Sequence, residues 1–264
     1  MGIFLVTVTA FVAGVVNAVA GGGTFLTFPA LTVFAGLEQK VANMVSTEGL
    51  WPGSAASVVA AWKDFARIPS GMLIAFSIIS LVGGAVGSWM IIAGSARSFE
   101  LAIPWLLAFA TTVFGFSKPI ARWAGRQHGH RTLRWTMFVG FVQIFIAVYG
   151  GYFGAGIGVL MLAGLAFAGL DDIHQMNALK VLLATLINGI AAFIFLFSNK
   201  LNWTLVAAMA AASTVGGFLG MFVARRIKPD HLRAVILSIG IILTLFYFAK
   251  NYGILENLSR TRHV

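Results

Sequence analysis

Glycine-rich segments in the two halves of the chain carry residue types that suit the binding of an anion. The first is AVAGGGTFLTFPA at residues 18–30, and the second is GGYFGAGIG at residues 150–158. Both interrupt strongly apolar sequence, although glycine weakens a helix interior by about 1 kcal/mol relative to alanine. Exposed N–H groups at the start of a helix bind anions directly, and glycine lets a ligand approach the backbone. The two segments therefore predict a site for a small anion.

A polar stretch follows each glycine segment and supplies side chains to the predicted site. At an offset of 134 residues, Asn43 falls on Asn177. At the same offset, Ser46 falls on Lys180, and these positions share one stripe of a predicted helix. Symmetric polar placement after a glycine break is what a two-fold binding site requires. The predicted substrate-binding residues are Gly21, Gly22, Gly23, Thr24, Asn43, Ser46, Thr47, Gly154, Gly156, Asn177, Lys180 and Asn188.

Lys180 and Glu48 are the charged residues furthest inside the apolar segments, and each has alternative interpretations. Lys180 either extends to the cytoplasmic interface or faces an anionic substrate. Glu48 either pairs with Lys180 or carries a proton as a buried carboxylate, which makes it the candidate for proton coupling. Ser54, which falls on Asn188 at the same offset, is expected to bond a carbonyl of its own helix, as is Thr185.

The composition predicts a membrane protein. Of 264 residues, 59% are hydrophobic and 10% are charged, whereas a soluble domain carries roughly 25% charged residues. The absence of cysteine excludes disulfides and cysteine-ligated metals, and the five histidines lack the HExxH spacing of a metal site. No serine-hydrolase GxSxG motif occurs either, so we expect no enzyme activity, no metal and no cofactor.

The chain contains an internal repeat. FAGL at 34–37 recurs at 167–170, and VGGxxG at 82–87 recurs at 215–220, both at an offset of 133 residues. We expect the VGGxxG motifs to serve close helix packing, as small residues commonly do in membranes. The ten apolar segments are expected at 3–20, 24–36, 41–62, 71–93, 98–117, 135–152, 154–170, 176–198, 202–224 and 231–249.

These patterns predict an all-α polytopic membrane protein built from two inverted-topology repeats. Each repeat has about five hydrophobic segments, which corresponds to eight full spans plus short or re-entrant glycine-broken segments. An odd number of segments places the second repeat in the opposite membrane orientation. The expected divisions are a first repeat at 1–118, a basic linker at 119–134, a second repeat at 135–250 and a polar tail at 251–264.

The net charge of +10 comes from lysines and arginines that cluster in short loops. Such clusters set membrane orientation and are not arranged as a face for nucleic acid, so no nucleic-acid partner is expected. The loops at 63–67, 118–134 and 225–233 are predicted to be cytoplasmic, with the N-terminus outside. The first apolar segment lacks a basic n-region and belongs to the repeat, so we expect it to be uncleaved.

The motifs resemble those of the TauE/SafE sulfite exporter family over roughly residues 10–250. The resemblance rests on the duplicated glycine segments, the FAGL turn, Asn-x-x-Lys at 177–180 and the late VGG…ARRIKPDHLR. It implies transport of small sulfur-containing anions such as sulfite, sulfoacetate, thiosulfate or related organosulfonates, usually outward across the bacterial cytoplasmic membrane. The run Val-Ser-Thr-Glu-Gly at 45–49 departs from the more neutral Thr-Ser-containing run usual there.

The predicted function is secondary transport that exports such an anion by alternating access between the inverted repeats. The alternative is an uptake permease or channel of the same fold for another small carboxylate or oxyanion. The expected partners are the anionic substrate, membrane lipids and a second copy of the chain in a homodimer. The sequence leaves open the exact anion, the direction of net transport, the coupling ion and the oligomeric state.

Overall fold

The chain is helical, as the succession of apolar segments predicts. The computed structural model describes residues 1–125, 133–168, 170, 172–224 and 229–252, and no strand occurs among them. Two short 3-10 helices, Trp62–Arg67 and Leu196–Ser198, follow α3 and α8. The α-helices in this part of the chain are α1 (Gly2–Val19), α2 (Thr24–Val33), α3 (Gln39–Ala60), α4 (Ser70–Ala93), α5 (Ala96–Gly125), α6 (Leu133–Tyr152), α7 (Ile157–Phe167), α8 (Ile173–Phe195), α9 (Trp203–Ala224) and α10 (Pro229–Asn251).

The helices fall into two length classes that agree with eight spans plus two short segments. α2 and α7 have 10 and 11 residues, so each is about 15 Å long, or half the ~30 Å of membrane hydrocarbon. The other α-helices have from 18 to 30 residues. Among the described residues, six segments are long and apolar enough to cross a membrane: Gly2–Val19, Ser70–Ala93, Ala96–Phe116, Ile173–Ser198, Trp203–Phe222 and Ala234–Asn251.

Several expected boundaries are wrong. Two of these are the end of α2, at Val33 instead of 36, and the end of α7, at Phe167 instead of 170. α5 continues to Gly125 instead of ending at 117, because Pro119 near its end does not interrupt the helix. α7 begins at Ile157 instead of 154, because Gly154 and Gly156 have positive φ angles of 75° and 72°, which lie outside the right-handed helical region. Parts of the basic clusters, residues 126–132 and 225–228, lie outside the described residues, as does the tail from 253 onward.

α1 and α2 form an antiparallel hairpin, which we call hairpin 1. Gly23 lies against the Ala13 carbonyl of α1, and Gly2 at the start of α1 lies against the Phe34 carbonyl at the end of α2. Hairpin 2 consists of α6 and α7, and here the indole Nε1 of Trp135 donates to the Phe167 carbonyl at 3.1 Å. In both hairpins the chain therefore returns toward the level at which it entered.

The packing of the helices follows a two-fold pattern. α1 packs against α9 just as α6 packs against α4, and α3 packs against α9 just as α8 packs against α4. The VGGxxG motifs sit at these contacts, where Gly87 lies against the Val148 carbonyl of α6 and Gly220 lies against Val15 of α1. This placement confirms the close-packing interpretation of both motifs. The corresponding helices of these pairs lie five positions apart in the order of the α-helices.

Candidate anion-binding site

The tips of the two hairpins meet through their backbones. We call residues 20–23 turn 1 and residues 153–156 turn 2. The amide of Gly158, at the start of α7, donates to the Gly21 carbonyl in turn 1 at 3.2 Å. A side chain on either glycine would collide with the backbone of the other. The glycine breaks thus bring the two halves of the chain together.

The two turns have the same geometry, since each first helix ends in a glycine with a positive φ. Gly21 and Gly154 both have a φ of 75°, a conformation that costs a residue with a side chain roughly 1–2 kcal/mol. The Gly21 amide donates to the Val16 carbonyl at 3.1 Å, and the Gly154 amide donates to the Tyr149 carbonyl at 3.2 Å. The sequence repeat is therefore also a repeat of local structure.

The starts of α2 and α7 point their positive dipole ends toward this meeting point. α2 begins at Thr24 after Gly22 and Gly23, and α7 begins at Ile157 after Gly156. Neither helix has a side-chain hydrogen bond at its N-cap. Helix starts are common anion-binding positions because the first amides of a helix lack the usual acceptor one turn earlier. Here the amides of Phe25 and Leu26 donate to the carbonyls of Gly22 and Gly23, and the Ile157 amide donates to the Gly154 carbonyl. Gly21, Gly22 and Gly23 are buried, and Thr24 is half-buried.

Lys180 is buried beside turn 1. Its side chain is 1% exposed, and its ammonium donates to the carbonyls of Ala18 at 3.0 Å and Val19 at 3.4 Å. Those carbonyls form the negative end of α1, which favours a cation. The ammonium does not extend to the membrane interface, so this alternative for Lys180 is wrong.

Among the described residues, no carboxylate pairs with Lys180. An ion pair in this part of the chain joins the exposed Arg97 to the half-buried Glu100 at 3.5 Å. The alternative that Glu48 pairs with Lys180 is therefore not found in this structure. Glu48 is 6% exposed, and its Oε1 has no hydrogen-bond partner in the described part of the chain. A buried ammonium without a carboxylate leaves a positive charge for another group to balance.

A small cavity adjoins the Lys180 ammonium. Its volume is about 10 Å³, which is close to the space that one water molecule fills. Asn17 donates to the Ser54 hydroxyl at 3.0 Å at this cavity. The single hydroxyl proton of Ser57 is shared between the carbonyls of Gly53, at 2.9 Å, and Gly217, at 3.0 Å. The lining residues are Asn17, Gly21, Ser54, Ser57, Gly158, Lys180, Val181 and Ala184.

Of these lining residues, only Gly21 and Lys180 were predicted from the sequence as site residues; Asn17, Ser57 and Gly158 are among those that were not. Asn17 is a polar residue in the apolar α1, one turn before the three glycines, and is therefore the kind of intramembrane polar group that signals function. Ser57 lies one helical turn after Ser54, on the same face of α3. Gly158 gives no such signal, since its role depends on a contact with the other half of the chain.

The polar residues of α3 lie at turn 2 and against α2. Asn43 is 1% exposed, and its Nδ2 donates to the Tyr152 carbonyl at 3.2 Å, while its Oδ1 has no partner in the described region. Ser46 is buried and shares a 2.6 Å hydrogen bond with Thr27 of α2. The Thr47 hydroxyl donates to the Asn43 carbonyl of its own helix at 3.0 Å. Both hydroxyls are therefore engaged within the protein.

The polar residues of α8 separate into different surroundings. The Asn177 amide donates to Met221 Sδ at 3.6 Å, a contact to α9, so the structure does not place it opposite Asn43. Asn188 does lie at turn 2, where its Oδ1 is 4.0 Å from the position that a Gly154 Cβ would take. Gly156 of the same turn lies against the ring of Phe25.

The serine and threonine expected to bond their own helices do so. The Ser54 hydroxyl donates to the Leu50 carbonyl at 3.3 Å, and the Thr185 hydroxyl donates to the Val181 carbonyl at 2.7 Å. The Ser54 hydroxyl also accepts the hydrogen bond from Asn17. Its bond within its own helix therefore does not prevent it from lining the cavity.

The long helices, the two hairpins and the buried polar residues at their tips define a multi-pass helical membrane protein. The sequence profile of the family described as "Sulfite exporter TauE/SafE" matches residues 6–247. The chain belongs to this family, and is a membrane transporter.

Similar curated proteins carry corresponding descriptions. A "Probable membrane transporter protein" of Haemophilus influenzae is 26% identical over 212 residues, which cover 80% of each chain. A "Probable membrane transporter protein" of Xylella fastidiosa is 25% identical over 86% of this chain and 87% of its own length. "Probable membrane transporter protein ORF9" of a Sinorhizobium species is 22% identical over 90% and 89%. No solved structure matches the chain significantly.

Proposed function

We propose that the protein is a secondary transporter that exports a small sulfur-containing anion, such as sulfite, sulfoacetate or a related organosulfonate. The observation that carries the proposal is the Lys180 ammonium, which is buried at the end of α1 and pairs with no carboxylate in the described residues. Lys180 also lines a cavity together with Gly21 and Gly158. A sulfonate or sulfite oxyanion balances that charge, and it also accepts hydrogen bonds from amides and hydroxyls.

The substrate contacts in this proposal come from both halves of the chain. The first half contributes Gly21, Gly22 and Gly23, with Thr24 at the start of α2, and the second half contributes Lys180. Asn17 and Ser57 adjoin the same cavity and offer an amide and a hydroxyl. Because the cavity holds about 10 Å³, the described conformation is a closed one, and substrate entry requires the hairpin tips and α8 to part.

Alternating access between inverted repeats is the proposed mechanism. In it, residues 1–118 and 135–250 form the two repeats, and they exchange conformations so that the site opens to one side and then to the other. The matched hairpins and the two-fold helix contacts support this arrangement. The basic loops at 63–67, 118–134 and 225–233 would face the cytoplasm of a bacterial inner membrane. Glu48, whose Oε1 has no hydrogen-bond partner among the described residues, remains the proposed proton carrier.

Flux measurements on purified protein in liposomes test the proposal. We expect saturable movement of radiolabelled sulfite or sulfoacetate by the unaltered chain, whereas a channel would give flux that does not saturate. Lys180→Met should lower kcat/KM for the anion at least tenfold, since one charge-assisted contact contributes about 1.5–3 kcal/mol. Lys180→Arg, which keeps the charge, should retain more activity than Lys180→Met.

Lys40 offers a matched control. It too is a buried lysine, and its ammonium donates to the Gly94 carbonyl at 2.7 Å at the end of α4. Lys40→Met therefore removes a buried lysine from a helix end away from the turns. We expect Lys40→Met to change protein stability with little change in KM. Equal losses of kcat/KM in the two methionine variants, or no sulfur-anion flux in the unaltered chain, would contradict the proposal.

A further inference from the structure

A single charged side chain lines the cavity in the part of the chain that the structure describes. The buried charged side chains of that part are Lys40, Glu48 and Lys180. Of these three, only Lys180 lines the cavity. Lys40 instead donates to the Gly94 carbonyl at the end of α4, at 2.7 Å. The described wall of the cavity therefore carries one positive charge from its side chains.

The helix ends at the cavity leave this charge nearly unchanged. Lys180 lies against the Ala18 and Val19 carbonyls, which form the negative end of α1. Gly158 lines the same cavity near the start of α7, which is the positive end of that helix. Each end is equivalent to about half a unit charge, and the two have opposite signs. The start of α2 and the end of α6 flank the same two turns and form a second pair of opposite sign. The net charge that faces a ligand is thus close to that of one ammonium.

Hydrogen-bond donors at the cavity are partly used within the protein. An ammonium has three N–H donors, and Lys180 uses two of them on the carbonyls of Ala18 and Val19, at 3.0 and 3.4 Å. The Ser54 hydroxyl donates to the Leu50 carbonyl at 3.3 Å. One N–H of the ammonium is left for a ligand. An anion with two charges gives up more hydration than an anion with one, and this site offers it no second charge in return.

We propose that the site selects anions with a single negative charge, namely hydrogensulfite and singly charged organosulfonates. One negative charge neutralises the Lys180 ammonium, whereas a second one stays uncompensated in apolar surroundings, where an unpaired charge is costly. This inference rests on the proposed transport function and narrows its substrate class. Sulfite meets the condition in its protonated form, hydrogensulfite. Sulfoacetate, with two charges, should bind at least tenfold more weakly than a singly charged sulfonate of the same size.

Isethionate and sulfoacetate test the effect of charge, because they share a two-carbon sulfonate skeleton and differ in a hydroxymethyl group against a carboxylate. The first measurement is thermal unfolding of the purified full chain at neutral pH and constant ionic strength, with increasing anion concentration. A ligand that binds the folded state raises the unfolding midpoint according to its affinity. We expect the apparent affinity for isethionate to exceed that for sulfoacetate at least tenfold. Equal affinities, or tighter binding of sulfoacetate, overturn the inference.

A second positive charge at the cavity should change the preference. Asn17 is half-buried and lines the cavity, so Asn17→Lys should lower the ratio of isethionate affinity to sulfoacetate affinity at least fivefold. Thr7→Lys is the control, because it adds the same charge to α1 about 15 Å from Asn17 along the helix. It should keep the ratio of the unaltered chain. A ratio that is unchanged in folded Asn17→Lys, or that Thr7→Lys lowers equally, contradicts the inference. The comparison in the unaltered chain decides the inference even where Asn17→Lys does not fold.

Flux assays in liposomes separate this inference from the proposed function. We expect unlabelled isethionate to compete with the flux of radiolabelled sulfite at least tenfold more effectively than sulfoacetate does. Saturable sulfite flux with equal competition by the two anions supports the transport function and overturns the selectivity for a single charge. Tighter binding of isethionate in the unfolding assay, without flux of any sulfur anion, supports the charge selectivity and overturns the proposed transport.

Discussion

The Gly158 amide donates to the Gly21 carbonyl at 3.2 Å, and no side chain fits between the two residues. This single contact joins turn 1 to the start of α7. It places the positive ends of α2 and α7, together with the Lys180 ammonium, around one small volume of the protein. A secondary transporter needs such a volume where its repeats meet.

The close backbone contact between Gly21 and Gly158 predicts that Gly21→Ala strongly destabilises the protein. The change adds a collision with the Gly158 backbone, at about 1–3 kcal/mol, to the strain of a positive φ, at about 1–2 kcal/mol. Thermal unfolding in detergent should show a loss of about 2–5 kcal/mol. Gly36→Ala is the control, because Gly36 has a φ of 66° with nothing within 4 Å. If Gly21→Ala lowers the free energy of unfolding no more than Gly36→Ala does, the close contact between Gly21 and Gly158 is refuted.

Ser57 is predicted to contribute to substrate affinity. Ser57→Ala removes a hydroxyl from the cavity beside Lys180, and we expect KM for the transported anion to rise about fivefold to tenfold, in line with about 1–1.5 kcal/mol for one hydrogen bond. Ser88→Ala removes a buried hydroxyl that donates to its own helix at Gly84, at 2.8 Å. That control should leave KM unchanged. Kinetics of flux against substrate concentration decide between a binding and a purely structural role.

The orientation of the repeats can be tested because the chain has no cysteine. Ala66→Cys and Lys200→Cys place single thiols at exposed positions that correspond at an offset of 134 residues. Inverted topology predicts that an impermeant maleimide labels the thiol at 66 only from the cytoplasm and the thiol at 200 only from outside. Labelling of both from the same side would exclude inverted repeats.

Glu48→Gln is predicted to remove proton coupling while leaving the protein folded. The amide has nearly the same size and cannot release a proton, so transport should lose its dependence on a pH gradient. The measurement is flux into liposomes with and without such a gradient, at constant sodium on both sides. A pH dependence that is the same in Glu48→Gln and in the unaltered chain would remove Glu48 from the coupling mechanism.

Much of the fold was predictable, because apolar length and glycine breaks are local signals. The spans, the short α2 and α7 and the packing role of VGGxxG follow from the residues nearby. The end of α5 was not predictable in this way, since Pro119 is compatible with continued helix there. The sequence did not decide whether the first two segments of each repeat are full spans or a re-entrant pair, because both arrangements return the chain to the same side of the membrane.

The candidate site was only partly predictable, because side-chain partners depend on which helices meet. The repeat directed attention to Lys180 and Asn43, and each of these side chains donates to a carbonyl at a helix end in the other half of the chain. Asn177 occupies a matching sequence position, yet it contacts Met221 because α9 lies beside that face of α8. The role of Gly158 could not be predicted, because it depends on the contact of its backbone with Gly21 in the other half of the chain.

The backbone contact between the hairpin tips has a consequence for biogenesis. Gly21 enters the membrane during synthesis well before Gly158 has been made. Turn 1 therefore lacks its contact with Gly158 while the intervening helices are inserted. During that interval the Ala18 and Val19 carbonyls also lack the Lys180 ammonium that later covers them. Ribosome-bound intermediates that end before α7 should therefore expose hairpin 1 to proteases or chaperones, and should gain protection only after α7 and α8 have been inserted.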